Sequence, residues 1–155
     1  MPTSLSVSRD ILANLINAVP FENPVAVTLT MKKRARARAA DDIVASANLR
    51  LFRVRLETRV LGRAAKVHGK RLRMVCVLEM SADYRLHYHC ILERPYHCSF
   101  ERFAVIIRDQ WSKTDFGYHE VDIQDRSDAG WTDYLLKLRQ KRSLLDSIDW
   151  TNCYL

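Results

Sequence analysis

Apolar and polar residues alternate along this chain in two periods, and the switches between them mark its elements. Residues 8–18 read as a short helix capped by Ser8 and ended by Pro20 and Pro24. Val25 to Met31 alternates apolar and small polar side chains, the pattern of a strand. A basic turn follows. Residues 41–61 form a long helix with Ile43, Ala47, Leu51, Val54 and Leu61 at helical spacing and arginines elsewhere. Gly62 and Gly69 flank a basic connector.

Leu72 to Met80 is apolar on both faces, which predicts a central strand. Ser81 to Arg85 makes a turn into a partner strand, Leu86 to Glu93, broken by Pro95. Ser99 caps a helix running to about Trp111. Gly117 opens a strand from Tyr118 to Ile123, and Ser127 or Asp128 caps a last helix over about 129–142. The tail from Ser143, with Leu144, Leu145, Ile148 and Trp150, is expected to pack as a partial helix.

This order is α-βαββαβ-α. The expected fold is α+β, with a ferredoxin-like βαββαβ core, an antiparallel sheet flanked by helices, and extra helices at both ends. At 155 residues the chain is expected to be one domain with its own core. Nearly half the residues are apolar, which excludes a disordered chain. No apolar run approaches the ~20 residues needed to span a bilayer. The first residues lack a secretory pattern, which favours an intracellular protein. The four cysteines show no CxxC spacing and read as free thiols, with Cys76 and Cys90 as core filler.

Formal net charge is +7, and the excess is concentrated in residues 32–38 and in the arginines and lysines between Arg50 and Arg73. Such an excess favours a polyanion, nucleic acid first. Lys32, Lys33, Arg34, Arg36 and Arg38 on the basic segment, with Arg50 and Arg53 on the following helix, are the expected phosphate contacts.

Two constellations carry chemistry. His87-Tyr88-His89 lies in an apolar strand, so its two imidazoles share a face. With a five-residue loop at Ser81–Arg85, Met80 pairs with Leu86 and Glu79 faces His87. A one-residue slip would throw Glu79 to the other face. A lone buried histidine more often hydrogen-bonds its neighbours. Two at this spacing with an acid opposite favour an open site for Mg²⁺, Mn²⁺, Zn²⁺ or Fe²⁺. On the last helix, Tyr134 and Lys137 share a face at i, i+3. A tyrosine oxygen can attack a phosphodiester, and a lysine can offset the developing charge.

Val27-Thr28-Leu29-Thr30, then Glu79 with His87-x-His89, then Tyr134-x-x-Lys137, in that order over roughly residues 25–141, resembles the HUH endonucleases. More narrowly it resembles the single-tyrosine replication initiators (Rep proteins) of rolling-circle replicons. The resemblance implies sequence-specific nicking and joining of single-stranded DNA, a DNA endonuclease and strand transferase that stays 5′-linked through tyrosine. It implies Glu79, His87 and His89 as ligands to Mg²⁺ or Mn²⁺, Tyr134 as nucleophile and Lys137 as its assistant. The implied DNA is an origin hairpin or nick site, in the cytoplasm of a bacterial host of a phage or plasmid. No helicase domain is expected in the chain, so a host helicase and polymerase are implied partners, and no membrane is. A compact single-tyrosine HUH transposase and a non-catalytic RRM-type nucleic-acid binder remain alternatives.

Overall fold

A computed structural model of the chain describes residues 4–125, 131–136 and 144–155, the side chains of 4–8, 131, 134, 144 and 145 excepted. Four strands, β1 (Pro24–Met31), β4 (Met74–Met80), β5 (Leu86–Glu93) and β6 (Gly117–Asp125), form one sheet in the order β4-β5-β1-β6. All three pairings are antiparallel. With helices α2 (Asp42–Leu61) and α4 (Phe100–Ser112) as crossovers, this is the ferredoxin-like α+β arrangement expected. Two further short strands, β2 (Arg34–Ala35) and β3 (Arg38–Ala39), turn the basic segment into a hairpin.

The sheet is apolar on both faces. Val25, Val27, Leu29 and Met31 of β1, with Cys76, Tyr88 and Cys90, pack under Leu49, Phe52 and Leu56 of α2 and Phe103, Ile107 and Trp111 of α4. The alternate residues Ala26, Val75, Val77 and Ile91 face the other way. They share a smaller cluster with Leu12 and Ile16 of α1 (Ser4–Asn17), Leu135 and Leu136 of α5 (Trp131–Leu136), and Ile148. That second cover reaches only part of its face. Cys76 and Cys90 are buried free thiols, as expected, and so is Cys98.

Caps fix both crossover helices. Asp41 Oδ1 accepts from Val44 N at 2.8 Å, and Gly62, at φ 55°, ends α2. Ser99 Oγ accepts from Arg102 N at 3.2 Å, as its position before the apolar run implied. The connector after α2 holds a short helix, α3 (Arg63–His68).

Three expectations need correction. The strand from Leu72 to Met80 was expected to be central, but β4 is an edge strand. Its second partner is the chain's own tail, with Met74 bridging Tyr154 and Val77 bridging Ile148, so the edge is covered, while Met74 and Cys76 pack in one cluster and Val75 and Val77 in the other. In α2 the stripe expected to face the core is largely exposed, with Ile43 80 %, Leu51 43 % and Val54 47 % accessible. The buried apolar set is Val44, Ala45, Leu49, Phe52, Leu56 and Val60, which has the same helical spacing, with Asn48 and Glu57 buried beside it. The first helix begins at Ser4 rather than Ser8.

The tail's helical part is one turn, α6 (Leu144–Ser147). Beyond it, Asp149 accepts from Tyr88 Oη at 2.8 Å and from Ser46 Oγ at 3.2 Å, while the fully buried Asn152 donates to Ser46 O at 3.0 Å. This network joins α2, β5 and the tail. Of the last helix expected over 129–142, only Trp131–Leu136 lies within the described residues.

Candidate metal centre

The β4–β5 hairpin sets the site. Its five-residue loop is closed by Ser81 N donating to Arg85 O at 2.9 Å and Tyr84 N to Ser81 O at 2.9 Å, with Tyr84 at φ 61°. Arg85 Nη1 donates to Met31 O at 3.0 Å and its guanidinium lies over the Tyr118 ring, 4.4 Å from the centroid. These ties hold the register in which Met80 pairs with Leu86, Glu79 with His87 and Val77 with His89, the register read from the sequence.

On β5, residues Leu86, Tyr88, Cys90 and Leu92 point into the α2–α4 core, so His87 and His89 must point to the other face. There Ile91 is fully buried under the second cover. Two residues further along, that cover ends, and the side chains of His89 and His87 retain 21 % and 17 % of their accessibility. The imidazoles thus sit where apolar packing gives way to solvent. Tyr88, between them, is fully buried on the opposite face and offers no ring to a nucleobase.

Glu79 Oε2 lies 2.8 Å from His89 Nε2 and 3.7 Å from His87 Nε2. The two rings are perpendicular with centroids 4.8 Å apart. One donor atom from each of the three residues can be chosen with all pairs within 4.8 Å. A cation with ~2.1 Å bonds holds cis donors ~3 Å apart and trans donors ~4.2 Å apart, so little movement is needed to close this set around one ion. Two neutral imidazoles and one carboxylate are also the right chemistry for a divalent cation, and leave coordination positions open. The Glu79-His87-His89 group can therefore hold a metal ion.

Thr28, paired with His89 across β1 and β5, places its Oγ1 3.2 Å from His89 Nδ1. A hydrogen bond at Nδ1 orients the ring and leaves Nε2 for the carboxylate side. The sequence flagged Thr28 within a strand and the Val27–Thr30 motif but not as a neighbour of His89, because the β1–β5 register that brings them together spans about sixty intervening residues. Thr30 lies one step along the same face, opposite His87. These two threonines floor a hollow of ≈ 380 Å³ beside His87, rimmed by Ser81, Asp83, Arg85 and Glu120. Glu120 carries no motif and was not anticipated.

The basic hairpin stands at the same end of the sheet. Arg36 and Ala37 form its two-residue turn at φ 48° and 62°, both left-handed. Its root is fixed by Lys32 N donating to Phe116 O at 2.8 Å and by Ala40 N donating to Lys33 O at 2.9 Å. Lys33 Nζ donates to Asp83 O at 2.6 Å, directly in the rim of the hollow, and Arg36 pairs with Asp115 at 3.1 Å. Lys32, Lys33, Arg34, Arg36 and Arg38 are all exposed. Arg50 and Arg53 lie elsewhere: α2 covers the opposite face of the sheet, so neither is brought to the Glu79-His87-His89 group.

Tyr134 lies on α5, and its side chain is outside the described residues, as is Lys137 altogether. The chain neighbours of Tyr134, Leu135 and Leu136, belong to the cluster on the sheet face that carries the imidazoles. Thr132 Oγ1 donates to Asn17 Oδ1, tying α5 to α1. No helix among the described residues is long and apolar enough to cross a membrane.

No curated protein and no solved structure matches this chain. The family described as "Replication-associated protein ORF2/G2P" matches residues 24–142, from the first residue of β1 to beyond α5, and so spans the sheet, both crossovers and the Glu79-His87-His89 group. With more than three quarters of its length inside that match, the chain belongs to the replication-associated protein ORF2/G2P family.

Proposed function

We propose that this chain is a metal-dependent endonuclease and strand transferase of the single-tyrosine HUH type. It nicks and rejoins single-stranded DNA at an origin to initiate rolling-circle replication of a phage or plasmid. The observation that carries the reading is the convergence of Glu79, His87 and His89 from two paired strands, inside a replication-associated family.

A divalent cation, Mg²⁺ or Mn²⁺, when bound supplies Lewis acidity toward the scissile phosphate. Glu79, His87 and His89 would hold it, and Thr28 would keep the His89 ring turned for ligation. Tyr134 Oη forms a bond to phosphorus while the bond from phosphorus to the 3′-oxygen breaks. The phenol proton passes through solvent to the departing oxygen, which leaves as a 3′-hydroxyl. Lys137 offsets negative charge at the phosphoryl oxygens. Attack by a 3′-hydroxyl reverses the step and rejoins a strand. The exposed basic hairpin holds flanking phosphates, and Arg50 and Arg53 extend the contact along α2. Unwinding and synthesis fall to a host helicase and polymerase.

The test is cleavage of a 5′-labelled origin strand with Mn²⁺ or with EDTA. Wild-type protein should release a labelled fragment ending in a 3′-hydroxyl only with metal, and Tyr134→Phe should release none. Equal cleavage in EDTA would exclude the metal role, and full cleavage by Tyr134→Phe would exclude the tyrosine.

A further inference from the structure

At the far end of the sheet from the imidazoles, a second hollow of ≈ 360 Å³ opens between the start of β4 and the end of β5. Lys70, Arg71, Arg73 and Arg94 line it, with Tyr96 at its lip and Tyr154 at its wall. Two of these cations are built in. Arg94 Nη1 donates to Cys98 O at 2.6 Å, and its backbone N donates to Asn23 O at 3.0 Å. The Arg71 guanidinium lies 4.7 Å from the centroid of the Tyr154 ring, with Nε 3.8 Å from Glu57 Oε1.

Both are nonetheless left incomplete. Arg71 Nη2 and Arg94 Nε are buried and have no hydrogen-bond partner among the described residues. Arg53 and Arg55 on α2 carry buried N–H groups of the same kind, so it is the gathering of Lys70, Arg71, Arg73 and Arg94 around one hollow that favours an acceptor-rich anion there. Glu22 and Glu93 are the acidic residues in the lining, and two of the carboxylates nearby are engaged by backbone N–H groups. Glu93 accepts from Glu22 N at 2.9 Å and Asn23 N at 2.6 Å, and Glu57 accepts from Leu72 N at 3.1 Å. Tyr96 is 90 % exposed, held edge-on to His97 with ring centroids 5.7 Å apart, and presents a free aromatic face at the lip.

We propose that this hollow binds a backbone phosphate of the single-stranded DNA on which the chain acts, with the adjoining base stacked on Tyr96. It rests on the DNA reading given above and adds to it a second anchor, remote from the chemistry. Glu93, at its edge, lies four residues from His89 along β5, roughly 13 Å at the rise of a strand. The anchor thus grips the strand several nucleotides from the scissile bond. Phosphate contact and aromatic stacking together are the usual means of holding a single strand without reading its sequence.

The test is fluorescence anisotropy of a labelled single-stranded oligonucleotide of about 30 nucleotides, in EDTA so that nothing is cleaved, over a range of salt. Two double variants of the full chain are compared with wild type: Arg71→Ala with Arg94→Ala, and Lys70→Ala with Tyr96→Ala. The second pair is exposed and should melt like wild type, so it carries the test if the first fails to fold. Lys70→Ala with Tyr96→Ala should weaken binding about tenfold. Losing that phosphate contact in the arginine pair should lower the slope of log Kd against log salt by about 0.7. Affinity and slope unchanged in the exposed pair would overturn the proposal. So would saturation of the site by micromolar thymidine monophosphate, which would make it a free-nucleotide site. Wild type that binds no strand at all would overturn this proposal and the DNA reading together. Wild type that binds the strand, yet forms no covalent adduct with Mn²⁺, would sink only the nicking reading, and a lowered slope would still support the anchor.

Discussion

Glu79 pairs with His87 across the β4–β5 ladder, yet its Oε2 lies nearer to His89, 2.8 Å from Nε2 against 3.7 Å for His87. The carboxylate leans diagonally along the sheet toward a point that both rings can reach. A plain cross-strand ion pair would engage His87 alone. This diagonal lean is the arrangement a shared cation would use.

Replacing any one of Glu79, His87 or His89 with alanine should weaken Mn²⁺ binding by at least about 100-fold, since even outer partners of metal ligands cost 10–100-fold. Thr28→Val should fall in that lesser range, because it removes the contact at His89 Nδ1 without removing a metal donor. Isothermal titration with Mn²⁺ measures both. Affinity should also fall on acidification, because a protonated imidazole has no lone pair to give. A Thr28→Val loss as large as that of His89→Ala would mean that Thr28 itself ligates.

The hairpin turn stores strain. Ala37 at φ 62° adopts a conformation that costs an L-residue roughly 1–2 kcal/mol and glycine little. Ala37→Gly should therefore stabilise the protein by about 1 kcal/mol, raising Tm by about 2–4 °C. It should leave DNA affinity unchanged, because Arg34, Arg36 and Arg38 keep their charges. Removing those three arginines should instead reduce the salt slope of single-strand binding by about 2. A destabilised Ala37→Gly would show that the turn is not strained.

Glu57 tests the electrostatics of the α2–β4 junction. Burial raises its pKa above the ordinary 4.5, against the lowering effect of the Leu72 N–H. The folded state thus prefers the protonated acid. The stability this preference contributes is complete below the unfolded pKa and is lost as pH rises through the folded one. Glu57→Gln keeps an acceptor for Leu72 N and never ionises. It should melt higher than wild type at pH 7, with the gain shrinking as pH falls to about 4. Thermal melts across pH measure this, and a variant that melts lower at pH 7 would show that the Arg71 pair outweighs burial.

Gly117 begins β6 where it meets the end of α4. A β-carbon there would lie 2.0 Å from Trp111 O and 2.8 Å from Thr114 Oγ1. The backbone oxygen cannot swing aside as a side chain could. Gly117→Ala should cost about 3 kcal/mol in chemical denaturation. Trp111 Nε1 also donates to Thr30 O at 3.0 Å, so Mn²⁺ affinity should drop in the same variant as the floor of the site shifts. Wild-type stability would contradict the packing described.

The part of the site closest in sequence was the most legible. Glu79 and His87 are joined by a loop short enough to fix their register, so alternation alone placed them together. Thr28 and Glu120 come from strands whose pairing partners are distant in sequence, and no local signal reports such registers. The exposed stripe of α2 misled because Ile43-Ala47-Leu51 and Val44-Asn48-Phe52 share one period, and only volume against the sheet decides between them. The edge position of β4 was hidden by the tail: a strand paired on its open side by residues 148–154 reads like one inside a sheet.

The most direct measurement is peptide mapping of the covalent adduct formed with origin single-stranded DNA. Wild-type protein with Mn²⁺ should carry the nucleotide on Tyr134, and neither the EDTA control nor His89→Ala should carry any. Attachment at another residue, or at Tyr134 without metal and without His89, would contradict the assignment of Glu79, His87 and His89 as the metal centre of a tyrosine-dependent nickase.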